Sequence, residues 1–369
     1  MPPLYLLIKP ASSACQLKCQ YCFYYDVANH REVATYEQMS EDTLEVIIKK
    51  ALKQAQGFCV FAYQGGEPTL RGLDFFKKAI EFEQLYNVKN LPIYHMIQTN
   101  GMTINEEWTT FFKAHQFLVG ISLDGTEQIH NAYRVDHQNR PTFNRVLKSI
   151  QLLDAYQVDY NILTVLTATA ANKIHQIYEF YKEQGFKHLQ FIPCLDSLDA
   201  NASSSEFTLT AKQYGDCLVR LYQLWEQDLK AGHYVSIRLF DNWLRMLQGH
   251  APESCGMSGI CGMQYVIEGD GTVYPCDFYV LDDYVLGSLL HHSFEEIDEV
   301  RKAMAFIESS YPVATRCQQC DYFKLCRGGC RRNREVTPKE LGLNEYCESY
   351  RFFFDKQLKN MIEVAKVIR

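Results

Sequence analysis

The feature that most constrains the fold is a regular alternation of strand-like and helix-like segments from Leu4 to about Leu195. Each strand-like segment is a short apolar run bounded by glycine, proline, asparagine or aspartate, as is typical of buried parallel strands. The segments between them repeat apolar residues at helical spacing, and Ser40 is placed to cap the first of these helices. Strand–helix repeats with right-handed crossovers predict an α/β barrel or part of one. The predicted strands are Leu4–Lys9, Phe58–Gln64, Ile93–Thr99, Phe117–Leu123, Tyr160–Leu166 and Leu189–Cys194.

A loop with three cysteines follows the first predicted strand. Cys15, Cys19 and Cys22 lie at spacings of four and three within eight residues. Three thiolates can hold three corners of an iron–sulfur cube and leave the fourth iron without a protein ligand. A structural zinc site, the alternative, takes four ligands, and the nearest extra candidate is His30. Because function gathers at the carboxyl ends of barrel strands, the loop predicts a redox cluster with one open iron on that face.

A second group of cysteines follows Gly249, where long periodic segments give way to a region rich in cysteine and glycine. Its eight cysteines are enough for two sites of four ligands, and full ligation by four thiolates suits an electron carrier better than a catalyst. Zinc is again the alternative, because Cys-x2-Cys pairs are common in zinc ribbons. The remaining cysteines, Cys59, Cys194 and Cys217, are expected to be small buried hydrophobic residues. The eight are Cys255, Cys261, Cys276, Cys317, Cys320, Cys326, Cys330 and Cys347.

Composition and charge exclude several other classes of protein. The chain has 369 residues, of which 47% are hydrophobic and 13% aromatic, which predicts a globular protein with a substantial core. The net charge of −7 and the lack of a basic run argue against nucleic-acid binding. No apolar run approaches the ~20 residues of a membrane span, and the first lacks the basic flank of a secretory signal. Fourteen cysteines without an export signal predict metal ligation in a reducing cytoplasm.

Two domains are expected. Residues 1–235 would form the barrel with a connecting helix, and residues 236–369 would form a smaller unit organised by metal. We expect the tail, Ser349–Ile368, to be a closing helix, and Asp199–Ser205 to be an exposed loop.

These motifs together resemble the anaerobic sulfatase-maturating enzymes. The spacing Cys-x3-Cys-x2-Cys is the signature of the radical S-adenosylmethionine (SAM) superfamily, and the later cysteine spacing is similar to that of the SPASM extension. The resemblance spans nearly the whole chain and implies a partial (β/α)6 TIM-like barrel, a C-terminal cysteine-rich iron–sulfur domain and a closing helix. The segments that carry it are IKPASSACQLKCQYCFYY, FAYQGGEPTL, QTNG, VGISLDG, VYPCDFYVLDDYVLG and CRGGCRRNRE.

The resemblance also implies an activity. Enzymes of this family oxidise an active-site cysteine or serine of an unfolded sulfatase to Cα-formylglycine. The implied cofactors are three [4Fe–4S] clusters and SAM, whose cleavage yields a 5′-deoxyadenosyl radical that removes a hydrogen atom from the β-carbon of the target. A ferredoxin- or flavodoxin-type electron donor is the implied partner besides the sulfatase polypeptide.

Two alternatives remain open at this point. One is another SPASM-type peptide maturase, which would cross-link or epimerise a ribosomal peptide; a catalytic loop that begins by residue 15 leaves no leader-recognition domain ahead of it and weighs against this reading. The other is a non-enzymatic zinc or electron-transfer scaffold.

The resemblance assigns the cysteines to three clusters. Cys15, Cys19 and Cys22 match the ligands of the SAM-binding cluster. Cys255, Cys261, Cys276 and Cys330 match the first auxiliary cluster, and Cys317, Cys320, Cys326 and Cys347 match the second.

The resemblance also names the remaining site residues. Asp277, directly after Cys276, would accept the proton of the substrate thiol or hydroxyl; the alternative is an aspartate that caps its own turn. Arg134 would pair with the SAM carboxylate; the alternative is a surface cation. The other implied SAM contacts are Tyr21, Gly66 in the sequence Gly65-Gly66-Glu67-Pro68, Ser122 and Leu195. Taken alone, the paired glycines are more often only a turn.

Overall fold

The first half of the chain builds a sheet of six parallel strands. The computed structural model describes residues 3–199, 207–335 and 342–367. Each strand pairs in parallel with the next along the chain, so the spatial order follows the sequence order. This confirms the predicted partial barrel, and every predicted strand end is within one residue of the observed one. The strands are β1 (Leu4–Ile8), β2 (Cys59–Tyr63), β3 (Ile93–Thr99), β4 (Leu118–Ser122), β5 (Tyr160–Leu166) and β6 (His188–Pro193).

Amphipathic helices cover one face of this sheet. Ser40 caps the helix Glu41–Gln54 as predicted, because its side chain accepts a hydrogen bond from the backbone N–H of Thr43. The α-helices of all the described residues, in chain order, are α1 (Phe23–Asn29), α2 (Glu41–Gln54), α3 (Leu73–Tyr86), α4 (Glu106–Ala114), α5 (Glu127–Tyr133), α6 (Phe143–Ala155), α7 (Ala168–Asn172), α8 (Ile174–Glu183), α9 (Ala211–Lys230), α10 (Arg238–Leu247), α11 (Cys255–Ser258), α12 (Phe294–Ala303), α13 (Thr315–Gln318), α14 (Phe323–Cys326), α15 (Arg332–Glu335) and α16 (Cys347–Val367).

Side chains alternate between the two faces of the sheet. In β1, Leu4, Leu6 and Ile8 are at most 2% exposed, whereas Tyr5 between them is 49% exposed. The buried residues join the large apolar core that the helices contribute to. The core therefore lies on one face of the sheet, and the opposite face is more accessible.

Short strands from the second half of the chain extend the same sheet at both ends. At one end, β7 (Ser236–Ile237) pairs with β6. At the other, β8 (Tyr265–Ile267) pairs in parallel with β1, and β9 (Thr272–Tyr274) and β10 (Gly287–Ser288) follow in antiparallel order. The cysteine-rich region is thus joined to the barrel through backbone hydrogen bonds, and the division at residues 235 and 236 stays a prediction.

The chain closes with a long helix, as predicted. Helix α16 packs along α9 and α10, and the ring of Phe353 stacks on Trp243 with 4.9 Å between ring centres. The three cysteines predicted to be buried, Cys59, Cys194 and Cys217, are at most 2% exposed. The predicted loop at 199–205 lies, apart from Asp199, outside the described residues. None of the described helices is long and apolar enough to cross a bilayer.

Candidate active site

The three-cysteine loop lies between β1 and α1, at the carboxyl end of β1. The segment of residues 134–141 lies against this loop, and the backbone N–H of Lys18 donates to the carbonyl of Val135 at 2.7 Å. The Nδ2 of Asn100 lies 3.5 Å from the sulfur of Cys15, and Nη1 of Arg134 lies 3.7 Å from the sulfur of Cys19. The loop is therefore held by groups that follow β3 and α5.

The thiols of this loop are close enough to affect one another's ionisation. Burial raises the pKa of Cys15 to about 12, and Cys19 and Cys22 add to the shift. Burial likewise raises the pKa of Cys19 to about 11. Several thiolates gathered in a partly buried loop need a compensating cation, and iron would supply it. The donor set suits an iron–sulfur cluster.

Paired glycines after β2 bring that strand's loop against the cysteine loop. The backbone N–H of Gly66 donates to the carbonyl of Ser12 at 2.7 Å, and that of Glu67 donates to Ala14 at 2.8 Å. A Cβ atom at Gly66 would lie 2.2 Å from the carbonyl oxygen of Ala14. Gly65 has φ +130°, a conformation that favours glycine. Gly65 and Gly66 therefore not only turn the chain but also allow the loop after β2 to lie against the backbone of the cysteine loop.

Glu67 ties this loop to the end of β3. Its side chain is fully buried, and it accepts hydrogen bonds from both polar groups of Thr69, from the hydroxyl of Thr99 and from the backbone N–H of Asn100, at 2.6 to 3.1 Å. Burial raises the pKa of Glu67 despite these bonds. The sequence analysis named Glu67 only as part of a motif. The polar run QTNG at the end of the third predicted strand was the signal for two of its partners, Thr99 and Asn100.

Arg134 is buried in an ion pair, so the surface-cation alternative is wrong. It is 7% exposed, and its Nε donates to Oδ2 of Asp124 at 2.8 Å. The hydroxyl of Tyr21 donates to the same carboxylate, and the backbone N–H of Val165 donates to Oδ1 at 3.0 Å. Sequence reasoning missed Asp124, although an aspartate directly after the fourth predicted strand, in VGISLDG, was a usable signal.

Two further predicted SAM contacts lie at strand ends on the same side of the sheet. Ser122 ends β4 and accepts a hydrogen bond from Nε2 of Gln98 at 3.2 Å. Leu195 follows β6 and is half-buried. The predicted SAM contacts thus come from segments at or after the carboxyl ends of β1, β2, β4 and β6.

Asp277 follows β9 and reaches the ends of β1 and β2. Its Oδ1 lies 2.5 Å from Nζ of Lys9, and its Oδ2 accepts from Nε2 of Gln64 at 3.0 Å. Lys9 is fully buried, with its ammonium 3.6 Å from the centre of the Tyr24 ring. These bonds run to the barrel strands and not to the turn that Asp277 begins. Sequence reasoning missed Lys9 and Gln64, although both are polar residues at predicted strand ends.

A second buried charge pair lies behind Tyr24. Arg31 and Glu268 are 2.9 Å apart at Nη1 and Oε1, and both side chains are fully buried. The hydroxyl of Tyr24 donates to the same Glu268 carboxylate. The Tyr24 ring that contacts Lys9 is therefore fixed at its other end.

The eight later cysteines fall into two spatial groups. In the first, Cys330 lies within electrostatic reach of Cys255 and Cys261, and Cys276 within reach of Cys330 and Cys255. These four line one cavity together with Tyr279 and Phe306. In the second, Cys326 and Cys347 lie within reach of each other and of both Cys317 and Cys320.

The thiols of these two groups also suit iron–sulfur clusters. Burial raises the pKa of Cys330 to about 11 and that of Cys326 to about 12. Among the described residues, no three cysteine, histidine, aspartate or glutamate side chains converge where one metal ion would bind. In an iron–sulfur cube each thiolate binds a different iron, so a cube does not require such convergence.

Residues 10–181 match the profile of the Radical SAM superfamily, and residues 259–321 match that of the SPASM iron–sulfur cluster-binding domain. A relative from Clostridium novyi (strain NT), named cysteine-type anaerobic sulfatase-maturating enzyme, is 46% identical over 100% of this chain and 99% of its own. A relative of the same name from Clostridium perfringens (strain 13 / Type A) is 45% identical, with both chains fully covered.

A more distant relative and a solved structure point to the same family. A serine-type anaerobic sulfatase-maturating enzyme from Bacteroides thetaiotaomicron is 30% identical over 95% of this chain and 89% of its own. The solved structure of native anSMEcpe with bound AdoMet and Cp18Cys peptide is 44% identical, covers both chains fully and superimposes with a TM-score of 0.95. These relatives confirm the resemblance and favour it over a cross-linking or epimerising peptide maturase. The chain belongs to the anaerobic sulfatase-maturating enzymes, within the radical SAM superfamily.

Proposed function

We propose that this protein oxidises an active-site cysteine of a sulfatase, presented as an unfolded polypeptide, to Cα-formylglycine. The observation that carries the proposal is Asp277, a carboxylate held by Lys9 and Gln64 beside the cavity of the first group of later cysteines. Full-length relatives named cysteine-type are 45–46% identical, against 30% for the serine-type relative given above. Cysteine is therefore the favoured target, and serine is the second substrate to test.

The proposed cofactors are SAM and three [4Fe–4S] clusters. Cys15, Cys19 and Cys22 would hold the cluster that binds SAM. The two spatial groups of later cysteines would hold one auxiliary cluster each: Cys255, Cys261, Cys276 and Cys330, and Cys317, Cys320, Cys326 and Cys347. When bound, these groups supply a 5′-deoxyadenosyl radical that removes one hydrogen atom from the target's β-carbon, and an acceptor for the second electron.

The residues around the first loop would bind and orient SAM. Asp124 accepts a hydrogen bond from Nε of Arg134, while Nη1 of that arginine points to the sulfur of Cys19. A guanidinium in this place pairs with the carboxylate of an amino-acid ligand next to the cluster. Gly66 presents backbone without a side chain at the same loop. Tyr21, Ser122 and Leu195 complete the proposed contacts.

Asp277 would accept the proton of the substrate thiol or hydroxyl. The oxidation removes two protons and two electrons from the target, and a nearby carboxylate accounts for one of the protons. Lys9 and Gln64 orient the carboxylate by holding one oxygen each. A serine yields the aldehyde directly, whereas a cysteine yields a thioaldehyde, which water converts to the aldehyde with release of hydrogen sulfide.

The electron that cleaves SAM needs an external donor. A small ferredoxin- or flavodoxin-type protein is the proposed donor. We also propose a reducing cytoplasm as the location, because cysteines that ligate metal must stay reduced.

The experiment compares Asp277→Asn with the wild type and with Asp283→Asn. Asp283 is an exposed aspartate six residues further along and serves as the matched control. With SAM, a chemical reductant and a cysteine-containing sulfatase peptide, we expect Asp277→Asn to keep its iron and its SAM cleavage. Peptide oxidation should fall by about 10²- to 10⁴-fold, as expected for loss of a general base, and Asp283→Asn should behave as wild type. Full peptide oxidation by Asp277→Asn would remove Asp277 from the mechanism; no oxidation by the wild type would contradict the function itself.

A further inference from the structure

His130 is a fully buried histidine on α5, one helical turn before Arg134. Both of its ring nitrogens have partners. Nδ1 lies 3.3 Å from the backbone nitrogen of Asp124, and Nε2 lies 3.0 Å from the hydroxyl oxygen of Thr142. No role proposed above uses this residue.

These partners determine where the ring proton lies. The backbone N–H of Asp124 can only donate, so Nδ1 accepts and the proton is on Nε2. Nε2–H then donates to Thr142, and the Thr142 hydroxyl donates to the carbonyl oxygen of Arg134 at 2.7 Å. Burial, opposed by Asp124 and aided by Arg134, lowers the pKa of His130 to about 4. The imidazole is therefore neutral at neutral pH.

His130 also contacts the other backbone polar group of Arg134. The N–H of Arg134 donates to the carbonyl oxygen of His130 at 2.9 Å. Both backbone polar groups of Arg134 are thus hydrogen-bonded: its N–H donates to the backbone carbonyl of His130, and its carbonyl accepts from the Thr142 hydroxyl. The backbone of Asp124, which carries the other half of the ion pair, is bonded to the same imidazole.

We propose that His130 is a positioning residue for SAM: its neutral imidazole holds Asp124 and Arg134 in register, so that the guanidinium faces the SAM carboxylate beside Cys19. The proposal rests on the SAM-binding role of Arg134 proposed above. Outer partners that orient a ligand group matter because a small shift of the group breaks its geometry. In this proposal His130 acts through Asp124, Thr142 and Arg134, to which its hydrogen bonds run.

The test uses two variants that break the chain of bonds at different places. His130→Phe removes both ring hydrogen bonds but keeps an aromatic ring next to Phe143, whose centre is 5.8 Å away. Thr142→Val breaks the link to Arg134 and leaves the bond between His130 and Asp124. Thr142→Val also decides the question if His130→Phe does not fold.

His95→Phe is the matched control. His95 on β3 is a largely buried histidine, with a side chain 10% exposed, that also has two partners, Glu83 at 2.7 Å and the carbonyl of His115 at 3.1 Å. Neither partner is among the residues proposed to bind SAM. This variant reports the general cost of replacing a buried, hydrogen-bonded histidine.

The readouts are SAM affinity, measured by titration of the cluster's electron paramagnetic resonance signal, and SAM cleavage without peptide. We expect His130→Phe and Thr142→Val to weaken SAM binding by about 10- to 100-fold and to raise KM more than they lower kcat. His95→Phe should lose stability and keep wild-type SAM affinity. SAM affinity indistinguishable from wild type in both site variants, or an equal loss in His95→Phe, would overturn the proposal. Failure of the wild type to bind SAM would instead contradict the proposed function.

Discussion

Replacing Gly66 by alanine should remove the first cluster while leaving the rest of the fold in place. The added Cβ would lie 2.2 Å from the carbonyl oxygen of Ala14 and 2.5 Å from the carbonyl carbon of Ser13. Both are backbone atoms, so no side chain can rotate away. Because carbon atoms in contact stand roughly 3.5 Å apart, the loop that carries Cys15 must move by about 1 Å.

We expect such a shift to lower the free energy of unfolding only moderately but to disrupt the binding of iron. Overpacking of this kind destabilises a protein by about 1–3 kcal/mol. Metal–ligand distances, in contrast, tolerate only about 0.2 Å. We therefore expect Gly66→Ala to fold and to lose the iron of the first loop, about four of about twelve irons if each cysteine group holds one cube.

Gly72→Ala provides the matched control. Gly72 has φ +83°, and a Cβ there meets nothing within 4 Å. With ψ 155° as well, this is a backbone conformation that costs a residue with a side chain about 1–3 kcal/mol, the same range as the loss expected for Gly66→Ala. Anaerobic iron and sulfide analysis, together with denaturant unfolding, separates the two effects. A Gly66→Ala protein with full iron content and normal SAM binding would refute the reasoning.

Three further outcomes follow from the buried groups. Glu268→Gln leaves the buried Arg31 without its counter-charge and should lower the free energy of unfolding by about 3–5 kcal/mol; an unchanged denaturation midpoint would contradict this. Burial lowers the pKa of His130 from its ordinary 6.5 to about 4, so its contribution is fully present above pH 6.5 and is lost as the pH falls from 6.5 through 4. The wild type should therefore lose about 3 kcal/mol more than His130→Gln between pH 7 and pH 4, and parallel pH profiles of unfolding would contradict it. Cys217→Ala, at a fully buried site, should cost about 1 kcal/mol and leave the iron content unchanged, whereas loss of iron would make Cys217 a ligand.

The sequence predicted the barrel well because its strands carry their own local signals. Apolar runs with polar or glycine ends marked β1 to β6 to within one residue. Strands of two or three residues, such as β7 to β10, are too short for any periodicity, and their pairing depends on distant segments. The joining of residues 236–369 to β1 and β6 could therefore not be read from the sequence.

Residues of the candidate site could be predicted only where they belong to a recognisable motif. Asp277 and Arg134 were reached through the resemblance, but the side chains that hold them were not. Lys9 is 268 residues from Asp277 in the chain, and no local pattern links two such positions. Asp124 likewise required knowing that the loop after β4 meets Tyr21. The grouping of Cys330 with Cys255 and Cys261 is of the same kind, because chain spacing does not determine which loops meet.

The most direct test of the central proposal is the mass of a sulfatase peptide after anaerobic incubation with the wild-type protein, SAM and a reductant. We expect a cysteine peptide to lose two hydrogens and exchange its sulfur for oxygen, the product to react as an aldehyde, and 5′-deoxyadenosine to accumulate. Consumption of SAM with a two-hydrogen loss that retains sulfur in a cross-link, or with no change in peptide mass, would contradict it.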